Sequence, residues 1–173
     1  MQVRDELPKF ARNSVDLQRW RLRIEGRVER PLSLRYEDIT KLPKVSLTED
    51  FRCLEGWIVR GIVWEGVKVS LILKLAKLKP EVTNLKFSSA DFSAVLRVGK
   101  ALENSTILAL GNGGKILDDY HGGPVRLVFH GQECYESVKS LDRIQASSGE
   151  IEGTAKKIAL SRLNNRIAEM WVN

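Results

Sequence analysis

Five short apolar runs, LKFSS, FSAVLRV, TILAL, PVRLVFH and SLDRIQAS, follow one another between residues 85 and 147. Each has strand length and is bounded by turn-forming residues, with NGG at 112–114 as the sharpest turn signal. Upstream, WRLRIEGRV at 20–28 sets Trp20, Leu22, Ile24 and Val28 on one face and Arg21, Arg23 and Arg27 on the other, the period of a half-buried strand. Residues 46–53 read as a further strand that ends at Cys53, followed by a loop with Gly56 and Gly61 as breakers. Helices are expected at 33–42, with Ser33 as N-cap, and at 69–78, where apolar positions wrap most of the helix. Strands and helices do not alternate in βαβ order. The expected class is therefore α+β, with mixed, largely antiparallel sheets and short helices.

The chain has 173 residues, 43% of them hydrophobic, enough for one domain with a sizeable core. That domain is expected over 1–150, followed by a polar linker and a helix over 151–173 that Thr154 would cap. The net charge of +6 favours anionic partners, but the basic residues are scattered and not interleaved with aromatics, so no nucleic-acid role is expected. No stretch approaches the roughly 18 apolar residues of a membrane span. The N-terminal segment lacks the apolar core of a signal peptide, so the expected location is cytoplasmic.

Two stretches carry chemistry. The first is FRCLEGW, which puts Cys53 at a strand–loop junction with Arg52 adjacent. An exposed, electropositive thiolate there can act as nucleophile or metal ligand, while a buried structural cysteine is the commoner fate of such a residue. The second is the glycine-rich stretch 111–139, with His121, Arg126 and Lys139 interspersed. Its backbone amides and cations suit a phosphate-bearing ligand, and the same composition equally suits two tight turns joining three strands. No G-x-G-x-x-G and no Gly-Lys-Ser/Thr loop is present, which disfavours the common nucleotide sites.

The order of these segments separates the readings. KFARN, C-x-E-G-W, SSADF, an N-G turn, H-G-x-P-x-R-L-V and S-V-K follow one another over residues 8–146. This series resembles the molybdopterin-binding domain of the sulfite oxidase family, which includes assimilatory nitrate reductases and bacterial methionine-sulfoxide-reducing molybdoenzymes. The resemblance implies a molybdenum-dependent oxidoreductase that carries out oxygen-atom transfer on a small anionic or sulfoxide substrate. Its cofactor would be molybdenum on one pyranopterin dithiolene, with Cys53 as the protein's metal ligand. Asn13, His121, Arg126, Ser137, Val138 and Lys139 fall at cofactor-contact positions, and Ser88 (or Ser89) near a further one. Arg12 would face the open metal position and attract substrate, or contact the pterin only.

The chain departs from the animal and plant sulfite oxidases. Glu55-Gly56-Trp57 follows the cysteine where those proteins have G-N-R, which points to the short bacterial or archaeal branch and away from sulfite. Neither a cytochrome b5-like nor an immunoglobulin-like segment is recognisable, so electrons are expected to pass to or from a separate partner. A non-catalytic molybdopterin-binding or interaction domain is the alternative reading. The oligomeric state is open. Cys134 is expected to be a packed core cysteine, His130 a surface residue, and Trp57 a wall of the substrate channel.

Overall fold

A computed structural model describes residues 1–9 and 14–172, with side chains described to residue 165. Arg12 and Asn13 lie outside the described residues. In chain order the elements are β1 (Gln2–Arg4), β2 (Leu22–Gly26), β3 (Leu32–Leu34), α1 (Tyr36–Thr40), β4 (Val45–Arg52) and β5 (Trp57–Lys68). Then come α2 (Val69–Ala76), β6 (Asn84–Ser89), β7 (Phe92–Arg97), α3 (Val98–Leu102), β8 (Thr106–Asn112), β9 (Lys115–Ile116), β10 (Arg126–Phe129), β11 (Arg143–Ser147) and α4 (Ala155–Val172).

The strands form two sheets. The first runs β1-β5-β8-β10, with β4 also on β5 and β9 on β8, and the second runs β3-β2-β11-β6-β7. Only β1/β5 and β11/β2 pair in parallel; the remaining described pairings are antiparallel. The architecture is the mixed, largely antiparallel α+β class expected from the sequence. Among the described residues no helix is long and apolar enough to cross a membrane.

The main core lies between the sheets. Leu22, Ile24, Phe87 and Ile144 from the second sheet join Val67, Leu108, Leu110, Leu127 and Phe129 from the first, with Ile72 and Leu73 of α2. The first sheet is buried on its other face as well, by Phe51, Trp57, Val59, Ile62, Trp64, Ile107, Ala109 and Val128. A strand buried on both faces must be apolar throughout, which explains the continuous run Ile107–Leu110 and its alternation between the two clusters.

Several elements differ from the sequence reading. Residues 33–42 are not one helix: Leu32 and Leu34 join β2 as a strand, and the helix begins after Arg35, whose N–H donates to the Asp38 carboxylate at 2.9 Å. Ser33 is therefore a strand residue and no cap. The long strand β5 occupies the stretch read as a glycine-broken loop. Gly61, at φ +61°, sits where the β4–β5 register shifts, so it bends the strand without ending it. The expected strand 92–98 stops at Arg97, and α3 follows. Thr154 does stand at the head of α4 as expected, its carbonyl accepting the Ile158 N–H at 3.0 Å, while its hydroxyl accepts the Ser93 N–H at 2.9 Å and donates to the Asp91 carbonyl, anchoring the helix start to the β6–β7 hairpin.

Candidate functional site

The site grows out of the alternation in β10. Val125, Leu127 and Phe129 point into the main core, so Arg126 and Val128 point to the opposite face of the sheet. That alternation carries a guanidinium into an apolar layer. It lies 4.9 Å from the Trp64 ring centroid and 5.0 Å from that of Phe51, and the residue is 1% exposed. Nε donates to Ser137 Oγ at 2.7 Å and an Nη donates to the His121 carbonyl at 2.9 Å. Ser137 Oγ in turn donates to the Leu127 carbonyl. Burial pushes the guanidinium below its ordinary value, with the Cys134 sulfur opposing that shift, and it stays charged at neutral pH. Among the described residues no carboxylate lies within ion-pair distance of it. The Trp64 indole N–H beside it is also buried without an acceptor among those residues.

The 118–123 and 137–140 segments are stitched together at this point. Ser140 N–H donates to the Gly122 carbonyl at 2.9 Å and its hydroxyl to the Gly123 carbonyl at 2.6 Å. Gly122 has φ +101°, and a Cβ there would stand 2.8 Å from Lys139 Cγ and 3.2 Å from Arg126 Cδ. Glycine is thus required both for the backbone and for the close packing of the Lys139 and Arg126 side-chain stems. His121 is fixed from two sides, its Nδ1 2.7 Å from Asp118 Oδ1 and its Nε2 3.3 Å from the Leu7 carbonyl. Partial burial pushes the Asp118 carboxyl up, but the His121 backbone N–H, charge and ring N–H outweigh it and hold it below its usual range. Leu127 N–H donates to the Val138 carbonyl while the Val138 side chain is buried in the main core, so Val138 offers the site only its backbone.

Cys53 stands one residue past β4, half-buried, in a turn closed by Cys53 N–H to Trp57 O at 2.9 Å and Gly56 N–H to Cys53 O at 3.1 Å. It packs against the same apolar layer that holds Arg126. Cys134 is there too. As expected of a packed cysteine, it is half-buried against that layer. The Cys134 thiol and partial burial push the Cys53 thiol up, against the pull of the Glu55 backbone. The Cys53 thiol pushes Cys134 down, against its own burial.

The structure thus brings Cys53, His121, Arg126, Ser137, Val138 and Lys139 to one region. Ser88 is buried at the end of β6 in the other sheet, joined to this region through its carbonyl, which accepts the Asp142 N–H at 3.0 Å. Trp57 is 5% exposed, stacked on Phe51 at 5.8 Å with Arg4 over its ring, so it is a core residue and no open channel wall. His130 is exposed beside Glu49. Sequence reasoning missed Asp118, Phe51 and Trp64. Asp118 was legible as an acceptor three residues before His121. The others meet the site only through the fold.

A buried, uncompensated cation, an orphan indole N–H, a second cation across a glycine and a half-exposed thiol form a donor set for a ligand with an anionic arm and a soft metal. A molybdopterin fits that set: Arg126 and Lys139 would hold its phosphate and Cys53 its molybdenum. The family model for the oxidoreductase molybdopterin binding domain matches residues 9–155, and the chain belongs to that family.

The chain is 30% identical over 166 residues to the protein-methionine-sulfoxide reductase catalytic subunit MsrP of Campylobacter jejuni, covering 86% of this chain and 56% of that protein. It is 30% identical over 131 residues to the uncharacterized oxidoreductase YuiH of Bacillus subtilis, covering 75% of this chain and 66% of that one. Among solved structures, the sulfane dehydrogenase SoxCD of Paracoccus pantotrophus superposes with a TM-score of 0.76 at 27% identity, covering 82% of this chain and 41% of that one. The chain spans about half the length of the MsrP relatives it matches.

Proposed function

We propose that this chain is a molybdopterin-dependent oxidoreductase domain that carries out oxygen-atom transfer on a small sulfur-centred substrate, with a sulfoxide as the favoured class. The observation that carries the reading is the half-exposed Cys53 thiol at the end of β4, packed on the layer that buries the uncompensated Arg126 cation. The sulfoxide class is supported by the methionine-sulfoxide reductase relatives. A bound molybdenum supplies the exchange of an oxo group with the substrate.

The chain's residues do the placing. The Cys53 sulfur holds the metal on a short turn that two backbone hydrogen bonds keep in shape. Arg126, braced by Ser137 and the His121 carbonyl, offers a guanidinium that does not have to be desolvated again when an anion arrives. Lys139 adds a second cation, its stem packed at Gly122 beside that of Arg126. Asp118 holds the His121 ring in one orientation, as outer partners do around metal sites. Phe51, Trp57 and Trp64 exclude water from behind the site, which strengthens its electrostatics. Electrons exchange with a separate partner, and the protein resides in the cytoplasm; cell fractionation tests the latter.

The test is turnover. Protein made in a molybdopterin-competent host should reduce methionine sulfoxide with a reduced dye as donor, and Cys53→Ser should abolish this while leaving the circular dichroism spectrum unchanged. Molybdenum-loaded protein that turns over neither sulfoxide nor sulfite would instead favour a non-catalytic, cofactor-binding domain.

A further inference from the structure

The chain's positive charge is concentrated at one corner. The stretches 27–30 and 74–79 hold five cations (Arg27, Arg30, Lys74, Lys77 and Lys79) and one carboxylate, Glu29, within ten residues, against a net +6 for all 173. The fold ties the two stretches side by side. Val28 and Leu78 form an antiparallel bridge, the Glu29 and Arg30 N–H groups donate to the Lys77 and Ala76 carbonyls at 2.9 Å each, and the Lys79 N–H donates to the Arg27 carbonyl at 3.1 Å. Buried Val28, Ala76 and Val82 root the corner in the main core. Backbone hydrogen bonds thus set where these cations stand. Arg27, Arg30, Lys74 and Lys77 are exposed and Lys79 is half-buried. Lys77 pairs with Glu29 at 3.8 Å; among the described residues the other four have no carboxylate within ion-pair distance. Lys74 and Lys77 also suit the negative end of α2, but Arg27, Arg30 and Lys79 lie outside that helix. Leu75, beside Lys74, is an exposed apolar side chain.

The corner is remote from the candidate site. The Arg27 N–H donates to the Ala146 carbonyl at 2.9 Å, so the corner meets β11 at the end opposite the 137–140 segment, with about 16 Å of strand between them. A protein that exchanges electrons must approach the metal on Cys53, and a partner seated here would not. A nucleic acid finds no aromatic side chain in either stretch to stack on. The fit is to a surface recognised by charge density and open to one apolar side chain. We propose that this corner docks the domain on an anionic bilayer, with the lipid headgroups facing the five cations and Leu75 entering the headgroup layer, which leaves the cofactor site free. Each Lys or Arg close to such a surface strengthens binding about fivefold. The attachment is peripheral, needs no spanning segment and is reversed by salt. It is independent of the oxidoreductase reading, because nothing in it calls on the cofactor or on Cys53.

The experiment floats the cofactor-loaded chain with vesicles of phosphatidylcholine alone, or of phosphatidylcholine with about one-third phosphatidylserine. The chain should bind the second and not the first, and added salt should release it. Arg30→Gln/Lys74→Gln/Lys79→Gln, with an unchanged circular dichroism spectrum, should bind the anionic vesicles about 100-fold more weakly. Lys156→Gln/Lys157→Gln/Arg162→Gln removes the same charge from exposed positions on α4 and should stay within about twofold of wild type. If the first triple variant loses its fold, Lys74→Glu alone, a charge reversal at an exposed position, should weaken binding about 25-fold. Equal loss in the two triple variants would show that net charge and not this corner is read, and would overturn the proposal. So would equal binding to both vesicles, or no binding to either. Binding to polyglutamate in place of vesicles would overturn it in favour of an acidic protein partner.

Discussion

The two faces of the first sheet are built to different rules. The face toward the second sheet is apolar, and Leu108 and Leu127 there are wholly buried among other hydrocarbon side chains. The outer face has a comparable aromatic and aliphatic layer, but it also contains a full guanidinium charge and carries two half-buried free thiols at its edge. Burying a cation without a counter-charge costs stability, and a fold selected for stability alone would put a hydrocarbon there. The inner face holds the molecule together. The outer face keeps unsatisfied chemistry in place for a ligand.

The sharpest way to break this comparison is to neutralise the outer face. Arg126→Met keeps the volume and removes the charge. Cofactor content should fall about 10–100-fold, the range for lost partners around metal sites, while urea unfolding of the cofactor-free protein should show stability unchanged or increased. A large loss of apoprotein stability would mean Arg126 is structural and the two faces are alike. On the inner face the reverse is expected. Leu108→Ala should lower unfolding stability by about 2–5 kcal/mol and leave molybdenum per folded molecule unchanged.

Gly122→Ala tests the seam between the 118–123 and 137–140 segments. The left-handed backbone and the 2.8 Å approach to Lys139 should together lower stability by about 1–3 kcal/mol, measured by thermal unfolding, and weaken cofactor retention as well. The smallest effect concerns Asp118. Its folded value is held below the ordinary one, so its contribution is complete above the usual carboxylate range and is lost as pH falls through the lowered value. The pair with His121 is half exposed, and screening limits the effect to under about 1 kcal/mol. Asp118→Asn should flatten the acid limb of the stability profile slightly and leave the neutral region unchanged.

The contrast also explains what could be read from the sequence. His121, Arg126 and Lys139 were legible as side chains interspersed in a glycine-rich stretch, and Ser137 came with them only through the family resemblance. The sheet class followed from the short apolar runs. Strand β5 was not legible, because Gly61 reads as a loop breaker; it sits at a bulge in the β4–β5 pairing, which is a tertiary fact. Helix α1 was overcalled because Leu32 and Leu34 suit either period until β2 supplies a partner. Likewise, nothing in PVRLVFH says that Phe51 and Trp64 will cover its arginine.

The most direct measurement is molybdenum by inductively coupled plasma mass spectrometry, with oxidised pterin by fluorescence, on wild-type protein and Cys53→Ala from the same molybdopterin-competent host. The account predicts near-stoichiometric molybdenum and pterin in the wild type and molybdenum at background in the variant. Equal molybdenum in both, or neither molybdenum nor pterin in the wild type, would contradict it.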